Sequence, residues 1–422
     1  MDQASPGCLT ALFEVHMRES FDSLRKCLGC TIATALFVGA TLLLAQQSPP
    51  KVPYASIASS GVTYAGPGRE AAFNLAGPTI RIGLLAPMHG PQQADGEAIV
   101  QAAKMALADA QREPLPGGLH LSLDIADESV PPWGILDDEI IHLVIQQKVV
   151  AIVTGADGVA AHLSEQIGNK IGVPTLTLSS DPTTTQINLP WIFRLGPSDT
   201  QQARLIARDI YRTRGFQHVV LVTERDHDGR IGEQEFVQAA RELGAPAPAS
   251  VMINPLQPDA GSLLKLIKKQ PPQAFVFWTE ADIGRKLLEA LHSVGIHAPI
   301  YLSQETAQKG SGLEFHRLNT AGIKDASGVG IYTVASALDA TPSRESFARR
   351  FQAATGARPS PVAFEAYDAV WLVAQAVRDA GPNRARVRDH VSATRNFAGV
   401  SGTISFDSQG DNRAEACLVH LQ

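Results

Sequence analysis

The chain has 422 residues, which exceeds the usual size of one domain and suits two. Apolar residues make up 44% and charged residues 18%, a composition typical of a globular protein with a full core. The formal net charge is −6 and no basic run occurs, which argues against nucleic acid as a partner.

The N-terminal region has the pattern of an export signal followed by a tether. Residues 27–45 are nineteen residues without a charge, preceded by Arg18, Arg25 and Lys26. We predict an export signal over 1–45, with Met17 as an alternative start, and a periplasmic or cell-envelope location. An uncleaved membrane anchor is the alternative, because about 20 apolar residues cross a bilayer. Residues 46–79 are rich in proline and glycine and predict a flexible tether.

Cys27 and Cys30 form a C-x-x-C pair inside this apolar segment. No second cysteine pair or histidine pair accompanies them, so the spacing does not indicate a metal or redox site. Removal of the signal also removes Cys8 and leaves Cys417 alone. We therefore expect no internal disulfide, which a domain with a large core does not need.

From residue 80 onward, strand and helix patterns alternate. Ile99, Ala103, Ala106 and Ala110 keep one apolar stripe of a helix, and further helices are predicted over Leu136–Gln147 and 159–171. The predicted strands are Ile80–Ala86, His120–Ile125, Val149–Val153, Thr175–Leu178, Val219–Thr223, Ala274–Phe277 and Pro299–Leu302. Near-continuous apolar strands separated by helices indicate parallel sheets covered on both faces. We predict an α/β protein with two doubly wound parallel-sheet lobes.

Ligands of such sheets bind outside the carboxyl ends of the strands. The loops at those ends are Pro87–Gly96, Gly155–Val159, Ser179–Thr184, Glu224–Gly229, Trp278–Asp282 and Ser303–Thr306. They contain no nucleotide-binding glycine motif, no zinc-protease motif and no nucleophile elbow. We therefore predict that the chain is not an enzyme and needs no cofactor or metal.

Some residues of these loops are explained by local structure without a ligand. His89 and His227 are isolated loop histidines, and the run Asp226–Asp228 is expected to be a solvated loop rather than a metal site. Gly155–Gly158 would present backbone N–H groups to an anion. Ser179–Pro182 is also an ordinary helix start, with a serine or aspartate N-cap followed by proline.

Seven segments occur in the order typical of the type I periplasmic binding proteins, and the chain resembles their leucine/isoleucine/valine-binding branch. The segments are IRIGLLAPMHGP at 80–91, VVAIVTG at 149–155, GVPTLTLSSDP at 172–182, WIFRLGPSDTQQA at 191–203, VVLVTERDHDGRIGE at 219–233, FEAYDAVWLVAQA at 364–376 and FAGVSGTISFDSQGD at 397–411. This resemblance implies two lobes joined by three crossings, which trap a solute between them.

The resemblance places the crossings near Arg194–Ser198, Gly328–Tyr332 and Gly399–Thr403. It assigns residues 80–196 to the first lobe, 197–329 to the second, 330–398 to a return into the first, and 399–422 to a C-terminal hairpin of the second.

The resemblance also implies site residues. Ser179 and Ser180 match a loop that holds the solute carboxylate, and Trp278 and Thr279 lie in a loop that packs against the solute. Glu305 matches the acid that holds the solute ammonium.

The chain departs from the family pattern at acidic positions. Asp95 and Asp228 stand near positions that often carry tyrosine, and Asp181 stands where threonine is common. The Gly155–Gly158 loop is one residue shorter than usual and contributes Asp157 and Gly158 to the predicted site. Four aspartates would repel a solute carboxylate. Either some of them point away from the cleft, or the solute is more cationic than leucine: a basic amino acid, an amide or an amine.

We therefore expect a monomer that binds an amino-acid-like solute by hinged closure and delivers it to the membrane permease of an ABC transporter. The alternative is a tethered ligand-sensing or scaffold module on the same fold. A third class, an α/β enzyme, is disfavoured because no nucleophile–base pair can be named.

Overall fold

The computed structural model describes residues 75–187, 189–256, 260–296, 298–307, 330–336 and 341–421. All of them belong to the compact unit Tyr54–Gln422. The predicted export signal at 1–45 and residues 46–74 of the predicted tether lie outside the described residues. Within the described ranges, no helix has the length and apolarity needed to cross a membrane.

Strands and helices alternate along the described chain. The strands are β1 Thr79–Ala86, β2 His120–Asp127, β3 Ala151–Thr154, β4 Thr175–Thr177, β5 Ile192–Arg194, β6 Val219–Glu224, β7 Ala249–Ile253, β8 Ala274–Trp278, β9 Ile300–Leu302, β10 Ile331–Ser336, β11 Phe397–Ala398, β12 Thr403–Ile404 and β13 Ala416–Leu421. The α-helices are α1 Gln93–Ala110, α2 Asp137–Ile141, α3 Gly158–Ile171, α4 Thr183–Gln186, α5 Asp199–Arg208, α6 His227–Glu242, α7 Gly261–Lys269, α8 Ala281–Ser293, α9 Pro342–Thr355, α10 Pro361–Ala380 and α11 Arg384–Ser392. All seven predicted strands are present, within about three residues of their predicted ends.

The first lobe is built on a five-stranded parallel sheet in the order β2-β1-β3-β4-β5. Its central strands are buried on both faces, which is why they read as continuous apolar runs in the sequence. Helices α1 and α10 pack against one another over this sheet. The predicted stripe of Ile99, Ala103, Ala106 and Ala110 is buried in this core, where its small side chains let the two helices approach closely.

The second lobe is built on a six-stranded sheet in the order β13-β10-β9-β8-β6-β7. Val220 and Val222 point into a core with α7 and α8, whereas Val219 and Leu221 point into a core with α5 and α6. This alternation buries both faces of the sheet and confirms the doubly wound prediction. Among the described strands of this sheet, β13 alone is antiparallel to its neighbour, β10.

The predicted lobe boundaries need two corrections. Strand β10, assigned to the first lobe, pairs in parallel with β9 in the second sheet because Ile331 and Val334 complete the cores there. Conversely, Val400, Ile404 and Phe406 were assigned to the second lobe but are buried in the core of the first. Of the predicted C-terminal hairpin, only β13 joins the second sheet. Residues 328 and 329 of the second predicted crossing lie outside the described residues.

Arg194 ties the end of β5 to the loop after β4 and to the C-terminal segment. It is 1% exposed, and its Nε donates to Asp411 Oδ1 at 2.8 Å. Its Nη1 donates to the carbonyl oxygens of Ser179 at 3.3 Å and Asp181 at 2.5 Å, and its Nη2 donates to the Thr185 hydroxyl. One side chain therefore fixes the loop that carries three predicted site residues.

Arg194→Lys should lower the free energy of unfolding by about 3 kcal/mol, because an ammonium cannot reach all of these acceptors and leaves buried oxygens unbonded. Urea unfolding measures this loss. Arg204→Lys is the matched control: Arg204 pairs with Glu242 on the surface, and its substitution should change stability by less than about 0.5 kcal/mol. Equal unfolding midpoints for the two variants would contradict this role of Arg194.

Candidate functional site

The loops at the carboxyl ends of the two sheets face one another and touch. Gly158 N–H of the first lobe donates to Asp228 Oδ2 of the second at 3.2 Å. Gln92 Nε2 donates to Glu280 Oε1 at 3.2 Å, again from the first lobe to the second. These cross-lobe hydrogen bonds define a closed cleft.

Two small cavities remain in the closed cleft. The first, about 20 Å³, is lined by Pro87, Gln92, Asp95, Ile99, Glu128, Ala156, Glu280, Ala281 and Glu305. The second, about 10 Å³, is lined by Ala156, Leu178, Ser180, Asp228, Gln304 and Glu305. Ala156 and Glu305 border both cavities. Each space accommodates about one water molecule, so an amino-acid-sized solute requires the lobes to separate.

Carboxyl groups from both lobes line these cavities. Asp95 and Glu128 come from the first lobe, and Asp228, Glu280 and Glu305 come from the second. No lysine or arginine is among the described lining residues of either cavity. The described lining of these two cavities is therefore strongly acidic.

Burial and mutual repulsion raise the pKa of three of these acids, Glu128, Asp228 and Glu305. Burial, reinforced by the charge of Asp157, raises the pKa of Glu128 to about 8. Burial also raises the pKa of Asp228 well above its usual value, and repulsion from Asp157 adds to the effect. The pKa of Glu305 is raised in the same way by burial and by the charges of Asp228 and its neighbours. Closure without a cation therefore favours the protonated forms.

Glu224, at the end of β6, stands behind the cavities. Burial raises its pKa to about 8, and its Oε1 accepts the Glu280 N–H at 2.5 Å. Its Oε2, like Oδ1 of Asp228, is buried without a hydrogen bond from the described residues. Once these acids are ionised, their unpaired oxygens are buried acceptors without donors, so the closed cleft then requires hydrogen-bond donors from a solute.

Four of the predicted site residues line the cavities: Asp95, Asp228 and Glu305, together with Ser180. Gly158 and Asp157 lie at the lobe contact. Gly158 bonds Asp228, and Asp157 accepts the Ala160 N–H as the N-cap of α3.

The other predicted residues support the cleft from behind. The Ser179 hydroxyl accepts the Asp181 N–H, and the Asp181 carboxylate is bonded by two histidines, His162 and His227. Trp278 is buried in the second lobe. Thr279 donates its N–H to the Thr306 hydroxyl at 3.0 Å. None of these four lines either cavity.

Sequence reasoning missed Glu128 as a site residue. We predicted that β2 ends at Ile125 and named no loop after it, whereas the strand continues to Asp127 and Glu128 follows directly. Glu224 and Glu280 lay inside the loops that we named but were not singled out. An acid at the carboxyl end of a parallel strand, or within two residues after it, was the available signal in each case.

The two parallel-sheet lobes and the cleft between their strand ends define a two-lobed binding protein. The chain belongs to the periplasmic binding protein family, whose model matches residues 79–422. It is a type I periplasmic binding protein of the branched-chain amino-acid family, as its resemblance predicted.

The proteins that it matches include solute-binding proteins and, over part of their length, glutamate receptors. The chain is 26% identical over 313 residues to the Leu/Ile/Val-binding protein BraC3 of Rhizobium johnstonii, covering 73% of this chain and 81% of the relative. The fold matches LivJ of Streptococcus pneumoniae in complex with isoleucine, with a TM-score of 0.69, 22% identity and coverage of 81% and 99%. A solute-binding protein of R. palustris in complex with benzoate matches with a TM-score of 0.70, 21% identity and coverage of 82% and 93%.

The free energy of unfolding of the ligand-free chain should fall as the pH rises from about 4.5 to about 8. Glu128 and Glu224 keep protons in the folded state up to about pH 8, whereas the unfolded chain releases them near the ordinary glutamate pKa of 4.5. Their contribution is complete below about pH 4.5 and is lost as the pH rises through about 8. Urea unfolding at pH 5, 6.5 and 8 measures the slope.

Glu128→Gln should flatten this dependence, because glutamine cannot ionise. Glu113→Gln, at an exposed position, should leave it unchanged. Unfolding free energies that are equal at pH 5 and pH 8, or higher at pH 8, would show that these acids are not protonated in the folded chain.

Proposed function

We propose that the chain binds a small solute with a positively charged amine between its lobes, outside the cytoplasm, and delivers it to the permease of an ABC transporter. The observation that carries the proposal is the meeting of five cavity-lining carboxyl groups from both lobes with no lining lysine or arginine. Basic amino acids and diamines are the solute classes that fit best.

An ammonium group meets the demand that the closed cleft creates. Its three N–H donors match the acceptors at Glu305 and the buried Asp228 Oδ1, and its positive charge offsets the repulsion among the acids. A solute bonded by acids of both lobes binds the closed form better than the open form. Binding then shifts the equilibrium towards closure.

A purely anionic solute suits this cleft poorly. Benzoate, present in the complex of a structural neighbour, carries only a carboxylate, which would meet Asp95, Glu128 and Asp228 here. An amino acid with a second amine would still place its carboxylate near Ser180 and the Gly158 N–H, while its amines face the acids.

A tethered sensor built on the same cleft is the second candidate. The uncharged segment 27–45 and the proline-rich segment after it favour this reading, because a fixed sensor needs an anchor and a spacer. Intact-mass analysis of the exported protein distinguishes the two. Loss of residues 1–45 supports a released carrier, whereas a retained segment supports the sensor.

In a thermal-shift screen of residues 75–422, lysine, ornithine or putrescine should raise the unfolding midpoint by about 5 °C at a hundredfold excess over the Kd. Glutamate and benzoate should give no shift. A higher unfolding midpoint with the anions alone would contradict the proposed solute class. An unchanged midpoint with every solute would contradict the proposal that the chain binds a small solute.

Glu305→Gln should weaken binding by roughly 10-fold to 100-fold for the amine that raises the unfolding midpoint in the thermal-shift screen. The reason is that one charge-assisted hydrogen bond and one full charge are lost. Isothermal titration calorimetry measures the change. Glu289→Gln is the matched control, since Glu289 lies on the exposed side of α8 and bonds Arg285. Equal affinities for the two variants would exclude Glu305 from the site.

A further inference from the structure

Two histidines and an aspartate converge at the contact between the lobes, beside the two cavities and not lining them. His162 lies on α3 and Asp181 follows β4, both in the first lobe. His227 is the first residue of α6 in the second lobe. Asp181 Oδ2 lies 3.2 Å from His162 Nε2 and 2.7 Å from His227 Nε2. The three ligand atoms all lie within 4.8 Å of one another.

These separations are close to those of a metal site. Zinc binds histidine nitrogen and carboxylate oxygen at about 2.0–2.2 Å in a tetrahedron, so neighbouring ligand atoms are about 3.4 Å apart. The contact between Asp181 and His227 needs to widen slightly, and the two imidazole nitrogens already lie within 4.8 Å of one another. The two rings stand almost perpendicular, with centroids 5.8 Å apart, so their approach is not blocked by stacking.

A buried carboxylate orients one of the histidines. Glu165 is 1% exposed, and its Oε1 lies 3.1 Å from His162 Nδ1. His162 thus donates from Nδ1 to Glu165 and from Nε2 to Asp181, and loss of the Nε2 proton would free that nitrogen to ligate a metal ion beside Asp181. This carboxylate–histidine pairing is the arrangement that supports histidine ligands in metal sites.

We propose that His162, Asp181 and His227 bind one divalent transition-metal ion, with zinc the best match, and that the ion clamps the two lobes together. Imidazole ligands favour zinc, copper and nickel over calcium or magnesium, which prefer oxygen ligands. Because His227 belongs to the other lobe, the full ligand set exists only when the cleft is closed. The ion therefore binds the closed form selectively.

Further contacts complete the site. The Thr183 hydroxyl lies 2.8 Å from His162 Nε2 and must rotate away, and it also donates to Asp181 Oδ1 at 2.7 Å. Asp228 Oδ1, buried without a hydrogen bond, lies 4.0 Å from His227 Nε2. Water supplies the fourth ligand, because Asp228 Oδ1 faces the proposed solute position. The site is separate from the proposed solute position and stands whether or not the solute is an amine.

The test uses the full chain with Cys8, Cys27, Cys30 and Cys417 replaced by serine, which removes all four competing thiols. Calorimetric titration with zinc chloride should give one ion per chain, and Co²⁺ should develop the visible absorption of a tetrahedral site. His162→Gln and His227→Gln should each lower zinc affinity at least 100-fold, and Glu165→Gln by about 10-fold to 100-fold. His89→Gln, at an exposed histidine, is the control and should not change it.

The proposed metal bridge between the lobes is tested by the unfolding midpoint. Zinc should raise the unfolding midpoint of the wild-type sequence and of His89→Gln, but not that of His227→Gln. Midpoints measured without metal verify that the variants fold. Unchanged zinc affinity in both site variants, or no binding at millimolar zinc, would overturn the proposal. Loss of affinity only in His162→Gln would overturn the clamp across the lobes.

Discussion

The like charges that the two lobes bring together constrain the whole cleft. Asp95 and Glu128 from one lobe meet Asp228, Glu280 and Glu305 from the other in spaces that accommodate about one water each. Such acids either keep their protons or take up a cation, because burial makes several bare negative charges costly. In the proposed function, the specificity of the closed form is therefore electrostatic. The closed form is stabilised by a solute that brings positive charge and hydrogen-bond donors.

The scaffold is built to permit this close approach. All strands that feed the cleft are parallel, so their carboxyl ends meet at one edge of each sheet. Gly158 makes the lobe contact possible, since a Cβ there would lie 2.3 Å from Asp228 Oδ1. Arg194 holds the loop after β4 from behind, which fixes Ser180 at the cavity and Asp181 at the cross-lobe contact with His227. The interlobe histidine contact and the acidic cavities thus depend on the same backbone framework.

The sequence predicted the framework well and the pairing of side chains only in part. Continuous apolar runs such as β3 and the alanine stripe of α1 carry strong local signals, so the strands and the doubly wound lobes were found. Strand β10 was placed in the wrong lobe because long-range packing decides which strand it pairs with. The local sequence pattern does not contain that information. His162 was not singled out, since it sits one turn inside a helix and meets Asp181 and His227 only after folding. The acids at the strand ends were visible in the sequence, but their convergence in one closed space was not.

The separation between the lobes at pH 8 tests cation-driven closure most directly. Spin labels at Ala94→Cys and Lys286→Cys, in residues 75–422 with Cys417→Ser, report the distance between α1 of the first lobe and α8 of the second. Without solute, ionised acids should hold the lobes apart and give a long, broad distance distribution. Addition of the cationic solute should collapse it to one short distance, and glutamate should leave it unchanged. A short distance at pH 8 without any cation, or closure by the anion alone, would contradict the electrostatic origin of closure.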